Sequence, residues 1–191
     1  MSEIEPKTKL ERKILSSAEI QQGLKYGQQR KGHLEGKVKN HVLELLGKVE
    51  KIHGKVAEKT ICKLRFMIFL HDSLKYKVDR SKPKTGENNH GMLARRFAEK
   101  LISNEIMLSL IELHDLPYYT WQGRVSDENF KQKIKRIQPE LELFIQFIML
   151  DTSTGDKDPQ QRILFYEKLL AFGFIEKEKL EYMIKNISQC E

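Results

Sequence analysis

Residues 66–77 of the chain read FMIFLHDSLKYK. Phe66–Leu70 is an unbroken apolar run, far shorter than the roughly 20 residues that span a bilayer, and of the kind that a buried helix carries on all its faces. His71 and Asp72 follow without a turn residue between, and Lys75 stands one turn further on. A buried imidazole and carboxylate cost free energy unless they meet partners. The stretch therefore predicts a core helix that delivers two metal-friendly side chains to one point, with an ammonium beside them.

The flanking segments have a helical period. In HVLELLGKVEKIHGKV (41–56), Val42, Leu45, Leu46, Val49 and Ile52 recur at spacings of three and four. TICKLRFMIFL, GMLARRFAEKLI, EIMLSLIELH and ELELFIQFIML behave alike or are apolar nearly all round. Few stretches alternate apolar with polar as a half-buried strand would. The expectation is an all-α fold, a single-domain helical bundle of about seven or eight helices. Residues 77–90, with Pro, Gly, Asn and clustered charge, read as a loop; 116–129 reads as a second long connection, rich in aromatics. TSTGDKDPQQ (152–161) is a third, and it ends in a helix start: Asp158 as N-cap, Pro159 at the first helical position, Gln161 at the third. Gly173 is expected to stop that helix. Residues 1–29 read as a basic helical extension laid on a helical domain spanning 30–191, with its ligand-bearing core at about 33–155 and C-terminal helices over 158–189.

Composition bounds the function. The hydrophobic fraction of 39% suffices for one core, and the formal net charge is +7. A basic balance favours anionic partners: nucleotides, phosphorylated metabolites or nucleic acid. Cys62 and Cys190 have no paired spacing, which argues against a disulfide scaffold and for a reducing compartment. The polar N-terminus MSEIEPKTKLERK lacks the apolar core of a secretory signal, so a cytoplasmic protein with no membrane partner is expected. No GxxxxGK[ST], GxGxxG or GxSxG motif occurs. No helix-turn-helix is evident, and the basic residues form no stripe interleaved with aromatics, which leaves nucleic acid weakly supported as a partner.

The histidines carry the functional signal. Of six, His53 precedes a glycine at a helix end, where it suits the helix dipole; His33, His41, His71, His90 and His114 fall on or beside apolar segments. His71 and Asp72 point roughly 100° apart around one helix axis. His41 lies on an earlier amphipathic helix, and Asp151 ends the apolar helix ELELFIQFIML, where a carboxylate is costly unless it meets a cation. One metal held by His41, His71, Asp72 and Asp151 would satisfy all four groups. Such nitrogen and oxygen ligation suits iron, manganese, cobalt, nickel or zinc.

The order His41, His71-Asp72, Asp151 resembles the H…HD…D pattern of the HD-domain superfamily of metal-dependent phosphohydrolases. HLEGKVKNH (33–41) is similar to the H-x-E-x-x-x-x-x-H segment that leads the HD domain of bacterial CCA-adding enzymes, in which the second histidine, here His41, is the ligand. The resemblance covers about residues 30–155. In the two-metal branch the pattern is H…HD…H…H…D, and His90 and His114 stand in the two middle slots. The resemblance thus implies that Asp72 bridges two ions and that His90 and His114 complete the second site. The alternative is one ion, with His90 a substrate contact and His114 paired with Asp115; magnesium is a further candidate metal.

The implied chemistry is hydrolysis of a phosphomonoester or phosphodiester of a small, nucleotide-like molecule by metal-activated water, with Asp72 and Lys75 as catalytic residues. Lys75 lies near the face of His71 and Asp72 and is placed to hold a substrate phosphate. The adjoining loop brings Lys77, Arg80, Lys82 and Lys84. His33, Arg95 and Arg96 are further substrate-binding candidates, and Tyr118 and Trp121 are candidates to stack on a base. Two other readings stand beside this one: a di-iron oxygenase of the same fold, and a non-catalytic nucleotide-sensing module.

Overall fold

In the computed structural model, which describes residues 3–155 and 157–188, the fold is all-α, with only isolated bridges and no strand among the described residues. Among the described residues eleven helices follow in order: α1 Lys9–Leu15, α2 Ala18–Leu24, α3 Val38–Ile52, α4 Glu58–Leu70, α5 His90–Ala98, α6 Glu105–Glu112, α7 Leu116–Trp121, α8 Asp127–Ile137, α9 Leu141–Thr152, α10 Gln160–Ala171 and α11 Lys177–Ser188. No described helix is long and apolar enough to cross a membrane.

Two helices form the axis of the bundle. Helix α4 buries Ile61, Leu64 and the whole run Phe66–Leu70, and α9 buries Leu141, Leu143, Phe144, Ile145 and Phe147 through Leu150. Their apolar character all round is the sequence signature of enclosure. Helix α3 is amphipathic and turns Val42, Leu45, Leu46, Val49 and Ile52 inward against both. Helices α5 and α6 pack as a pair, and α6 also touches α4.

Several local expectations are modified. Residues 116–129 are not one connection, because Leu116–Trp121 coils into α7 with Pro117 in its first turn, where the missing N–H costs nothing. The start of α10 is shifted by one residue: Pro159 occupies the cap, and the Asp158 carboxylate accepts the N–H of Gln160 at 2.8 Å. The helix ends at Ala171, and Gly173 follows with φ of +69°. Within residues 3–29 the expected helical extension consists of two short helices, α1 and α2, tied down by Ile14, Ile20 and Leu24 in the core. A buried ion pair reinforces them: Arg65 on α4 donates through Nε and Nη2 to the two oxygens of Glu11 on α1, each at 2.8 Å. Cys62 on α4 carries a free thiol, and Cys190 lies outside the described residues.

Two close approaches fix what surrounds the end of α4. A Cβ on Gly23 would sit 1.7 Å from the Ser73 carbonyl oxygen, so α2 lies directly on the turn that follows His71-Asp72. A Cβ on Gly91 would sit 2.4 Å from the Glu112 carbonyl oxygen, so the first turn of α5 is seated on the last residue of α6.

Candidate metal centre

The chain reverses sharply after α4. The N–H of His71 still donates to the Met67 carbonyl, the Ser73 hydroxyl donates to the Phe69 carbonyl at 2.6 Å, and Lys75 opens a single 3-10 turn. Lys75 is therefore not on a continuation of α4. Its Nζ nevertheless donates to Asp72 Oδ2 at 2.6 Å, because the turn folds it back.

The structure brings together His41 from α3, His71 and Asp72 from the end of α4, His90 from the start of α5, His114 just after α6, and Asp151 near the end of α9. Two groups result: His41, His71 and Asp151, and Asp72, His90 and His114, with ligand atoms in each within 4.8 Å of one another. In the first, His41 Nε2 lies 2.9 Å and His71 Nε2 3.7 Å from Asp151 Oδ1. In the second, the Nε2 atoms of His90 and His114 are 2.9 Å apart and lie 3.6 and 3.5 Å from Asp72 Oδ1. Asp72 faces both groups: Oδ1 meets His90 and His114, and Oδ2 lies 3.7 Å from His71 Nε2. The His71 ring stands between those of His41 and His114, 5.3 Å from each.

Whether these residues fit a cation is decided by their protons. Nδ1 of His71 is 3.0 Å from the Ile68 carbonyl and Nδ1 of His114 is 2.8 Å from the Ile111 carbonyl. A carbonyl only accepts, so each Nδ1 bears the hydrogen, and on the neutral ring of His71 this leaves a lone pair at Nε2. On His71 that Nε2 is buried and has no hydrogen-bond partner among the described residues. Burial lowers the His71 pKa to about 3 and that of His90 to about 4, which keeps both rings uncharged at neutral pH, the form that ligates. Burial alone would raise the Asp72 and Asp151 carboxyls, but Lys75 and His71 for one, and Lys157 and His41 for the other, hold both well below the usual carboxylate range. At His114, burial is outweighed by the carboxylates of Asp115 and Asp72, which raise its pKa: the local field favours positive charge. The orphaned lone pair of His71 and the ionised Asp151 in the first group, and the ionised Asp72 with a field that favours positive charge in the second, fit a divalent cation. Such a donor set suits the borderline transition metals.

Three further residues belong here that the sequence did not single out for the centre. Lys157 donates to Asp151 Oδ1 at 2.8 Å, so each group holds one carboxylate paired to one lysine. Asp115 Oδ2 lies 3.2 Å from His90 Nε2; the second His-Asp dipeptide, 114–115, was its only signal. Glu35 is largely buried and places Oε1 3.1 Å from Nδ1 of His33 and 3.7 Å from Nδ1 of His41. It occupies the acidic position of the HLEGKVKNH segment.

A cavity of about 490 Å³ opens onto the centre and is lined by Asp72, His41, Lys75 and His33 together with residues of the 25–38 segment and Arg80. Burial, then Lys75, lowers the pKa of His33, so that ring is neutral too. The other substrate-binding candidates go elsewhere. Arg95 is held by Glu99, Glu105 and Glu112, and Arg96 pairs with Glu87; neither lines the cavity. Tyr118 and Trp121 lie on α7, outside the cavity wall, with the Tyr118 hydroxyl accepting from Gln122 Nε2 at 2.7 Å. Lys77 is bound to Glu19 and Lys82 to Asp79.

The arrangement is compatible with an HD-type site: a helical bundle with His and Asp side chains positioned to bind metal. No family model, curated protein or solved structure matches the chain.

Proposed function

We propose that the chain is an HD-type metal-dependent phosphohydrolase, cleaving a phosphate ester of a small, nucleotide-like molecule. The observation that carries this reading is Asp72. Its carboxylate turns one oxygen to each of two cation-compatible groups, next to a cavity walled by basic side chains. His41, His71 and Asp151 would hold one ion and Asp72, His90 and His114 the other, with Asp115 adjacent to the second. Divalent ions held there supply a nucleophilic water at neutral pH and stabilise charge on a phosphoryl oxygen.

The side chains of the chain itself do the rest. Lys75 reaches the cavity from the floor of the site, 2.6 Å from Asp72, and its pKa is raised: burial acts against it, but Asp72 and Asp115 prevail, so it stays an ammonium able to bind a phosphoryl oxygen. Lys157 offers a second ammonium at Asp151. Neutral His33, hydrogen-bonded to Glu35 on the cavity wall, is placed to exchange a hydrogen bond with a substrate hydroxyl. Helices α4 and α9 are buried along their length and hold His71, Asp72 and Asp151 at their ends rigidly, and rigid placement is what positioning catalysis requires.

The test is a panel of phosphomonoesters and phosphodiesters, run with the protein loaded with Mn²⁺, Co²⁺, Ni²⁺, Fe²⁺ or Zn²⁺, with and without oxygen. Phosphate release that needs a metal, ignores oxygen and is lost in Asp72→Asn is expected. Substrate oxidation that consumes oxygen and requires reduced iron would instead select the oxygenase reading, to which the four imidazoles also lend themselves.

A further inference from the structure

The cavity beside the centre carries more positive charge than one phosphate needs. Lys75 and Lys157 are already matched to Asp72 and Asp151. The cavity wall, which Lys75 lines and Lys157 does not, also bears Lys25, Arg30 and Arg80. Among the described residues, Lys25 and Arg30 have no carboxylate partner, and Arg80 donates only to the Tyr26 hydroxyl, at 2.8 Å. Cations without an ion pair occur elsewhere on the surface too; what sets these three apart is that they share one concave wall with Asp72 and Lys75 of the centre. Among the described residues, the only carboxylates on the cavity wall are Asp72, which belongs to the centre, and Glu35, which is turned to His33 and His41.

Three uncompensated cations on one concave wall focus a positive potential. A volume of about 490 Å³ accommodates a mononucleotide-sized ligand rather than a bare phosphate. A single phosphoryl group at the centre would leave the outer three cations unneutralised. We infer that the cavity is a two-anion site: Lys25, Arg30 and Arg80 form a subsite for a second phosphate, so that the substrate is a nucleoside diphosphate or a related compound with at least two phosphates. This deepens the hydrolase reading and rests on it for the word substrate, but the subsite is a binding claim that stands on its own cations.

The test is therefore equilibrium binding rather than turnover. The full chain is stripped of metal with EDTA, and its affinities for ADP and AMP are measured by titration calorimetry. Wild type is expected to bind ADP at least tenfold more tightly than AMP. In the variant Lys25→Ala/Arg30→Ala/Arg80→Ala the ratio should fall to near one. A charge-matched control away from the cavity, Lys51→Ala/Lys59→Ala/Lys133→Ala, should retain the wild-type ratio. Equal affinities in wild type, or the same loss of preference in the control, would overturn the inference. Binding preference without phosphate release in the panel would sustain the subsite and sink the hydrolase; phosphate release without the preference would do the reverse.

Discussion

Replacing Gly91 by alanine tests how the second half of the centre is assembled. The added Cβ would lie 2.4 Å from the Glu112 carbonyl oxygen, against an ordinary contact distance of 3.4 Å, so α5 and α6 must part by about 1 Å. The obstacle is backbone, which cannot rotate away. Alanine also gains helix propensity over glycine, at most about 1 kcal/mol in a helix interior and less in a first turn. Forcing one extra methyl into a filled contact costs about 1–3 kcal/mol, so the clash wins. For a chain of this length that corresponds to a melting temperature lowered by about 2–12 °C, at about 2–4 °C per kcal/mol. His90 opens α5 and His114 follows α6, so the same separation prises apart two Nε2 atoms now 2.9 Å from each other. The first group, built on α3, α4 and α9, is untouched. Thermal unfolding and metal stoichiometry together make the assay: Gly91→Ala should melt earlier and hold one tightly bound ion where wild type holds two. Unchanged stability with two tightly bound ions would refute the reasoning.

Other outcomes follow from the surroundings of the centre. Glu35→Ala removes the carboxylate that lies 3.7 Å from His41 Nδ1, an atom with no hydrogen-bond partner among the described residues. It is expected to weaken metal binding by less than the about 10–100-fold that losing a hydrogen-bonded partner of a ligating histidine costs, with Glu35→Gln less affected still; a competition titration with a chromophoric chelator measures both. Truncating one partner of the buried Arg65–Glu11 pair, as in Glu11→Ala, should cost about 3–5 kcal/mol, read as a fall in the urea midpoint. Despite its burial, Glu11 has a pKa lowered by Arg65, so its contribution is full above the unfolded-state value and is lost as pH falls through the folded-state value. The stability difference between wild type and Glu11→Gln should accordingly shrink as the solution is acidified below pH about 4.3, and a constant difference from neutral pH to pH 2 would contradict it.

The parts legible in the sequence are those that periodicity encodes. The five apolar residues of α3 all point inward, and the all-round apolar runs of α4 and α9 are the bundle axis, because burial is what such patterns are for. His71 and Asp72 were visible since they interrupt such a run, and Asp151 since it closes another. The arginines after His90 show the limit of spacing. Five and six residues on, they are rotated by about 140° and 240° from His90 around the helix, so they leave its face, and Arg95 finds the carboxylates of α6 instead. Lys157, Glu35, Lys25 and Arg30 come from loops and turns, whose path depends on tertiary closure and leaves no period to read. Asp115 was masked by its neighbour: next to a histidine, it read first as that histidine's partner.

The most direct measurement is a Mn²⁺ titration of the metal-free full chain followed by electron paramagnetic resonance. Two ions per chain are predicted, magnetically coupled because one carboxylate, Asp72, faces both groups, with the coupling lost in Asp72→Asn. A wild-type chain that takes up no Mn²⁺, Co²⁺ or Zn²⁺ beyond what Asp72→Asn takes up would contradict the assignment of this cluster as a metal centre.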